Sequence, residues 1–222
     1  MRTTVPLFPL GTVLVPGLVL PLHIFEKRYR DLVADLLAAP EPEQRFGVVA
    51  IRSGFEVGVR AARALHPVGT LAELTEVDAL PDGRYDVQSV GTRRFRLLSV
   101  DEDSGHRGAS VPYLRGEVEV MEEPVGDTAD LLAGPVRAAF ERYRAMLRGA
   151  DSVLPSDPVL LSYTVAANML LDLVDKQRLL EAADASARLR LALRLLARED
   201  VLLTLLRAVP ATDAARRVPG LN

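Results

Sequence analysis

The 222-residue chain contains no cysteine and no tryptophan, and lysine is almost absent. Without cysteine, the chain has no disulfide, thiolate zinc site, iron–sulfur cluster or cysteine nucleophile. Lys27 and Lys176 are the two lysines, so arginine supplies nearly all of the positive charge. The net charge is -3, and the chain therefore has no overall basic field that would attract nucleic acid or anionic lipid.

Long apolar runs are also missing. No run approaches the ~20 apolar residues that span a bilayer. Pro6, Pro9, Gly11 and Pro16 interrupt the N-terminal segment, where a signal peptide would need a continuous apolar stretch. We therefore expect a cytoplasmic protein with no membrane partner. The hydrophobic fraction of 49% and the charged fraction of 26% are typical of a folded globular protein.

Motifs for nucleotide binding and hydrolysis do not occur in the sequence. It contains no GxxxxGK[ST] loop, no GxGxxG after a strand and no GxSxG. His23, His66 and His106 lack the spacing of a metal site, and we expect neither a metal nor a cofactor. Glu122 and Glu123 could supply a carboxylate for acid–base chemistry, but an exposed strand end explains them without that role.

The first part of the chain carries the pattern of a β-rich domain. Extended segments are expected over residues 5–10, 12–15 and 18–25, and an amphipathic helix follows and ends at Pro40. Further strands are expected over residues 46–51, 69–74, 85–90, 94–100 and 113–121. Many short strands with a single early helix predict a small barrel, or a sheet closed on itself.

From residue 124 onward the apolar residues recur at helical spacing. Four helices are predicted: one over residues 132–147, one from Asp157-Pro158, one capped by Asp175 and a long one that Ser186 precedes and that runs to about Val209. The sequence thus predicts an α+β fold with a β domain over residues 1–123 and a helical bundle over residues 124–222.

Six ordered motifs resemble the N-terminal domain of Lon proteases. They are PLFPL at 6–10, VLVPG at 13–17, LPLHIFE at 20–26, HPVGTLA at 66–72, GTRRFRL at 91–97 and KQRLLE at 176–181. The resemblance covers residues 4–207, and it implies a PUA-like β-barrel, or pseudobarrel, followed by a helical bundle.

The resemblance also implies a function. In Lon proteases this region recognises unfolded or tagged polypeptides, and the ATPase and protease domains follow it. We expect a stand-alone, non-catalytic substrate-binding domain that acts as a proteolysis adaptor or a chaperone-like factor, with such polypeptides and a separate protease as partners. The family pattern provides no catalytic residues to carry over.

Two surfaces are candidates for binding. Glycines flank Phe55, which predicts a loop that presents an apolar side chain, with Arg52 and the His23 region beside it. The alternative that Phe55 packs in the core stays open. The second surface is a nucleic-acid site of Arg93, Arg94 and Arg96.

The nucleic-acid alternative has evidence against it. The net charge is acidic, and aromatic residues make up 5% of the chain, which leaves few rings for stacking on bases. A solvated strand face would explain Arg94 and Arg96 without any nucleic acid. We therefore keep polypeptide binding as the leading hypothesis.

Overall fold

The computed structural model describes residues 1–40, 43–54, 62–101, 112–148 and 153–206. Within these ranges there are seven strands, namely β1 (Arg2–Leu10), β2 (Val19–Ile24), β3 (Arg45–Gly54), β4 (Ala62–Leu65), β5 (Val68–Ala79), β6 (Tyr85–Asp101) and β7 (Arg115–Val120). The five helices in the same ranges are α1 (Lys27–Ala38), α2 (Ala129–Met146), α3 (Pro158–Asn168), α4 (Leu173–Glu181) and α5 (Ala185–Leu206).

Residue contacts divide the chain into two compact units, Met1–Glu122 and Glu123–Asn222. The first unit holds all the described strands and α1, and the second holds the other four described helices. This division of the sequence lies within one residue of the boundary expected after residue 123. That each unit is a separate folding domain stays a prediction.

The sheet of the first unit closes on itself. Residues 2–6 of β1 pair with β7 in antiparallel fashion, and residues 7–10 pair with β3 in parallel fashion. Since β7, β6, β5 and β3 are neighbours in that order, these two pairings complete a ring. Strand β2 pairs with β6 in antiparallel fashion, and β4 pairs with β3 in the same way. The predicted α+β fold with a barrel-like sheet is confirmed.

Phe95 fills the centre of the ring. It is fully buried with Leu7, Leu71 and Val118, and glycine leaves the space that its ring occupies. A Cβ atom added to Gly69 would lie 2.5 Å from Phe95 Cζ and 2.5 Å from the oxygen of Val48. Close packing of this kind leaves no room for an extra methyl group.

Several predicted strands differ from the structure. Residues 85–90 and 94–100 belong to one continuous strand, β6, and a register shift between Thr70 and Ala72 of β5 marks a bulge within it. Residues 12–15 were expected to be extended as a strand, but they form none. They cover the outer face of the sheet instead, where Thr70 Oγ1 donates to the oxygen of Leu14 at 2.7 Å.

Helices α3 and α4 of the second unit begin at aspartate caps. The carboxylate of Asp157 accepts from the N–H of Leu160 at 2.8 Å, and Pro158 follows at the first helical position, as predicted. Asp172 caps α4, so the expectation that Asp175 does so is wrong. Helix α5 begins at Ala185, so Ser186, which was expected to precede the helix, lies in its first turn.

Arg188 is fully buried in the second unit. Its guanidinium carbon lies 3.8 Å from the ring centroid of Tyr163, and Nη1 donates to Ser162 Oγ at 2.9 Å. Nη2 lies 3.5 Å from Glu123 Oε2, which also accepts from the Tyr163 hydroxyl at 2.6 Å. Glu123 is thus a partner in a buried cluster, and the expectation of a free, exposed strand end is wrong for this residue.

We predict effects of different size for two glycine-to-alanine substitutions. Gly69→Ala should lower the free energy of unfolding by about 2–3 kcal/mol, because its methyl group would overlap Phe95. Gly134→Ala should change it by less than about 1 kcal/mol, because this exposed position in α2 has open space around it, while the gain in helix propensity is opposed by crowding of the new methyl group against Pro135. Urea unfolding followed by circular dichroism measures both changes. A Gly69→Ala variant as stable as the wild type would contradict the packing described.

Candidate functional site

A cavity of about 500 Å³ lies beside the N-terminal half of β1. Residues 3–6 of β1 form one wall, and Asp35, Leu36 and Ala39 of α1 form another. Tyr113, just before β7, and Arg115, the first residue of β7, close the remaining side. Glu43 precedes β3 and Arg45 begins it, and both also line the cavity. This volume is within the range of about 300–1,000 Å³ that is usual for binding pockets.

The same half of β1 pairs on one edge only, as far as the described residues show. The N–H of Val120 donates to the oxygen of Met1, and the N–H of Leu7 donates to the oxygen of Leu114. Because backbone groups alternate in direction along a strand, the odd-numbered residues face β7. Arg2 and Thr4 therefore direct their N–H and C=O groups to the opposite edge.

Strand β3 occupies that opposite edge further along β1. Its pairing begins where Leu7 lies opposite Gly47 and continues to Leu10 opposite Ala50. Neither β3 nor another described strand pairs with this edge at residues 2–6. The cavity runs along this segment of the strand, so the open edge faces an accessible volume.

A tyrosine joins the walls of the cavity. The hydroxyl of Tyr113 donates to Asp35 Oδ2 at 2.7 Å and so ties α1 to the segment before β7. Tyr113 is 3% exposed. Its burial, and then its hydrogen bond to Asp35, raise the pKa of Tyr113 to about 12. The phenol therefore stays protonated at neutral pH and serves as a donor, not as a base.

Charged groups of both signs surround the cavity. Asp35 and Glu43 are acidic, and Arg45 and Arg115 are basic. A balanced set of this kind does not select strongly for anions or cations. Together with the open strand edge, it suits a ligand that is polar but nearly neutral, such as a peptide backbone.

Two of the residues predicted to bind polypeptide, His23 and Arg52, do not lie together. His23 is exposed, with Nδ1 2.6 Å from Asp86 Oδ1 and Nε2 3.2 Å from Arg84 Nη1. Arg52 is exposed on β3. Phe55 lies outside the described residues.

Strand pairing separates His23 from Arg52. His23 pairs with Asp86, which lies opposite Asp78 near the end of β5. Arg52 follows Ile51, whose partner on β4 precedes the start of β5. His23 and Arg52 therefore lie near opposite ends of β5, which is 12 residues long. The expectation that they are neighbours is wrong. Their role in binding stays a prediction.

The predicted arginine cluster is divided by burial. Arg93 and Arg96 are exposed, but Arg94 has 0% exposure. Arg94 lies opposite Thr70, which is itself buried under the segment that contains Leu14. The solvated face expected for Arg94 is wrong, because a long-range contact covers this part of the sheet.

The described part of the chain contains no group of three or more His, Asp or Glu side chains arranged to hold a metal ion. His23 is on β2 and His66 lies between β4 and β5, while His106 is outside the described residues. Among the described helices, none has the length and apolar character needed to cross a membrane.

Comparison with known proteins identifies the family. The family model described as "ATP-dependent protease La (LON) substrate-binding domain" matches residues 4–198. The chain belongs to this family. The Lon protease of Anaeromyxobacter dehalogenans is 30% identical over 210 residues, which are 90% of this chain and 24% of that protein. The chain thus spans about a quarter of the length of the curated relatives it matches.

Solved structures of Lon N-terminal domains have the same fold. The crystal structure of a Lon N-terminal domain protein from Xanthomonas campestris is 27% identical, with a TM-score of 0.61, and the match covers 88% of this chain and 98% of that one. The N-terminal domain of a Mycobacterium avium complex Lon protease also has a TM-score of 0.61 at 19% identity, which shows the fold alone. The resemblance seen in the motifs is confirmed.

Sequence reasoning missed the features that form the cavity in this Lon-family domain. Asp35 borders the apolar stripe of α1, between the buried Leu32 and Leu36, and a carboxylate in that position was a signal for a buried partner. No local signal could identify Tyr113 as that partner, because it is 78 residues away in the chain. The open edge at Thr4 depends on strand pairing that no short segment encodes.

The pKa of Tyr113 predicts a pH-dependent stability that Tyr113→Phe should abolish. Below its ordinary pKa of 10, the tyrosine is protonated in both folded and unfolded chains, and its contribution is fully present. Between pH 10 and about 12 the unfolded chain loses this proton first, so stability falls with rising pH. The stability difference between wild type and variant should be constant to about pH 9 and change by about 2 kcal/mol at pH 12.

Urea unfolding of both proteins at several pH values measures this difference. The comparison cancels the titration of the other tyrosines, which both proteins share. A difference that stays constant up to pH 12 would show that Tyr113 loses its proton as easily in the folded protein as in the unfolded chain.

Proposed function

We propose that this domain binds polypeptides without catalysing a reaction on them. The observation that carries the proposal is the match of residues 4–198 to a family of substrate-binding domains. The open edge of β1 supports it, because an unpaired strand offers hydrogen bonds that another polypeptide can complete. The balanced charge of the adjoining cavity supports it as well.

The wider role is also a proposal. Within the 222 residues there is no P-loop and no nucleophile motif, so binding is the activity that the sequence supports. We propose an adaptor that brings unfolded or tagged polypeptides to a separate protease, or a chaperone-like factor that holds them, acting in the cytoplasm. Phe55, Arg52 and His23 stay predicted contacts, with His23 and Arg52 at separate positions on the sheet.

The nucleic-acid alternative loses support from the fold. Arg94 is buried, which leaves Arg93 and Arg96 as exposed members of the cluster. Arg96 lies opposite Glu119 on β7, which places a carboxylate beside it. A phosphate backbone would meet two arginines and a negative charge, which is a weak electrostatic site.

Binding to an unfolded protein tests the proposed function. We expect reduced, carboxymethylated lactalbumin, which stays unfolded, to bind with a Kd on the order of 1–10 µM, a free energy of about 7–8 kcal/mol. Native lactalbumin is the matched control and should not bind, because its backbone groups are already paired. Isothermal titration calorimetry measures both.

Two results would contradict the proposal. One is the absence of heat with unfolded lactalbumin at several hundred micromolar. The other is a salt-dependent mobility shift with RNA at concentrations where unfolded protein does not bind, since this would favour the nucleic-acid alternative.

A further inference from the structure

The open edge of β1 carries the hydrogen-bonding groups of an incomplete sheet. Arg2 and Thr4 each direct one N–H and one C=O group away from β7, as the bonds of Met1 and Leu7 to the β7 side require. Both side chains are exposed. An extended polypeptide carries donors and acceptors at the same spacing, whereas a lipid headgroup or a nucleic acid does not.

We infer that an extended segment of an unfolded polypeptide adds as a strand to residues 2–6 of β1. This inference rests on the proposed function and assigns it a site. The edge is about 17 Å long at the rise of a β-strand, so it accommodates a segment of about five residues. At its far end β3 takes over the pairing from Leu7 onward, which limits the length of the added strand.

The cavity receives the side chains of the added segment. Successive side chains of a strand point to opposite faces, so every second one faces the cavity beside residues 3–6 and the others face solvent. Glu43 and Arg45 offer charges of both signs at the cavity. Asp35 is already engaged by Tyr113. The site therefore favours uncharged side chains without requiring a particular sequence.

Recognition through the backbone defines the class of substrate. A helix or a folded strand has its own N–H and C=O groups paired, and it cannot complete the edge of β1 without unfolding. Proline-rich segments lack the N–H groups that the oxygens of Arg2 and Thr4 require. The expected substrates are therefore locally unfolded segments that are poor in proline and in charge.

Thr4→Pro removes one open-edge donor and leaves the pairing with β7 intact. The N–H of Thr4 faces away from β7, so the fold does not lose a hydrogen bond. Pro6 lies two residues further on with the same orientation, so the strand already contains a proline directed to this edge. Thr4→Ala is the matched control, because it changes the side chain but keeps the N–H.

The experiment measures binding of reduced, carboxymethylated lactalbumin to the full chain by calorimetry. We expect Thr4→Pro to weaken binding at least tenfold and Thr4→Ala to change it less than twofold, with unfolding midpoints close to that of the wild type. If Thr4→Pro fails to fold, Arg2→Pro replaces it, with Arg2→Ala as its control. Proline is well tolerated at the first residue of a strand.

The outcomes separate the inference from the proposed function. Wild-type affinity in a folded Thr4→Pro or Arg2→Pro variant would overturn the strand-addition site and leave polypeptide binding intact. If Phe55→Ala weakened binding in that case, the predicted loop would be the site instead. Failure of the wild type itself to bind would overturn the proposed function.

A second copy of this chain is the other possible occupant of the edge. Sedimentation of the free wild type and of Thr4→Pro tests it, and we expect both to sediment alike. A wild-type dimer that Thr4→Pro converts to a monomer, without loss of lactalbumin binding, would overturn the inference.

Discussion

The first unit depends on a change of partner within one strand. β1 pairs with β7 through residue 6 and with β3 from Leu7 onward. The change closes the sheet, because it joins the two strands that would otherwise be its free edges. It also encloses Phe95 among the side chains of several strands. Without this double pairing, the strands would form an open sheet with an exposed apolar face.

The same change of partner produces the site. A strand that moves from one neighbour to another leaves an unpaired edge at the half that its second neighbour does not reach. Among the described strands, none pairs with the second edge of β1 at residues 2–6, which lie beside α1. The hydrogen bond between Tyr113 and Asp35 joins α1 to the segment before β7, and it fixes one wall of the cavity. The change of partner in β1 therefore both closes the sheet and leaves the strand edge beside the cavity open.

Local features such as turns and helix caps could be predicted from the sequence, but contacts between distant segments could not. In the turn at residues 81–83, Gly83 has a φ of +79°, which glycine adopts readily, and its N–H donates to the oxygen of Leu80. The cap at Asp157 is confirmed. Arg94 shows the opposite case, because it is fully buried on the sheet opposite Thr70, which contacts a segment 56 residues away in the chain. The open edge at Thr4 belongs to this second class, since it exists only once β1, β3 and β7 are assembled.

Amide hydrogen exchange at β1 tests the central claim most directly. In the free protein the N–H of Thr4 should exchange much faster than that of Val5, which faces β7. When unfolded lactalbumin is added, the account predicts that Thr4 becomes protected while Val5 changes little. Binding that leaves the exchange of Thr4 unchanged and protects amides elsewhere in the chain would contradict it.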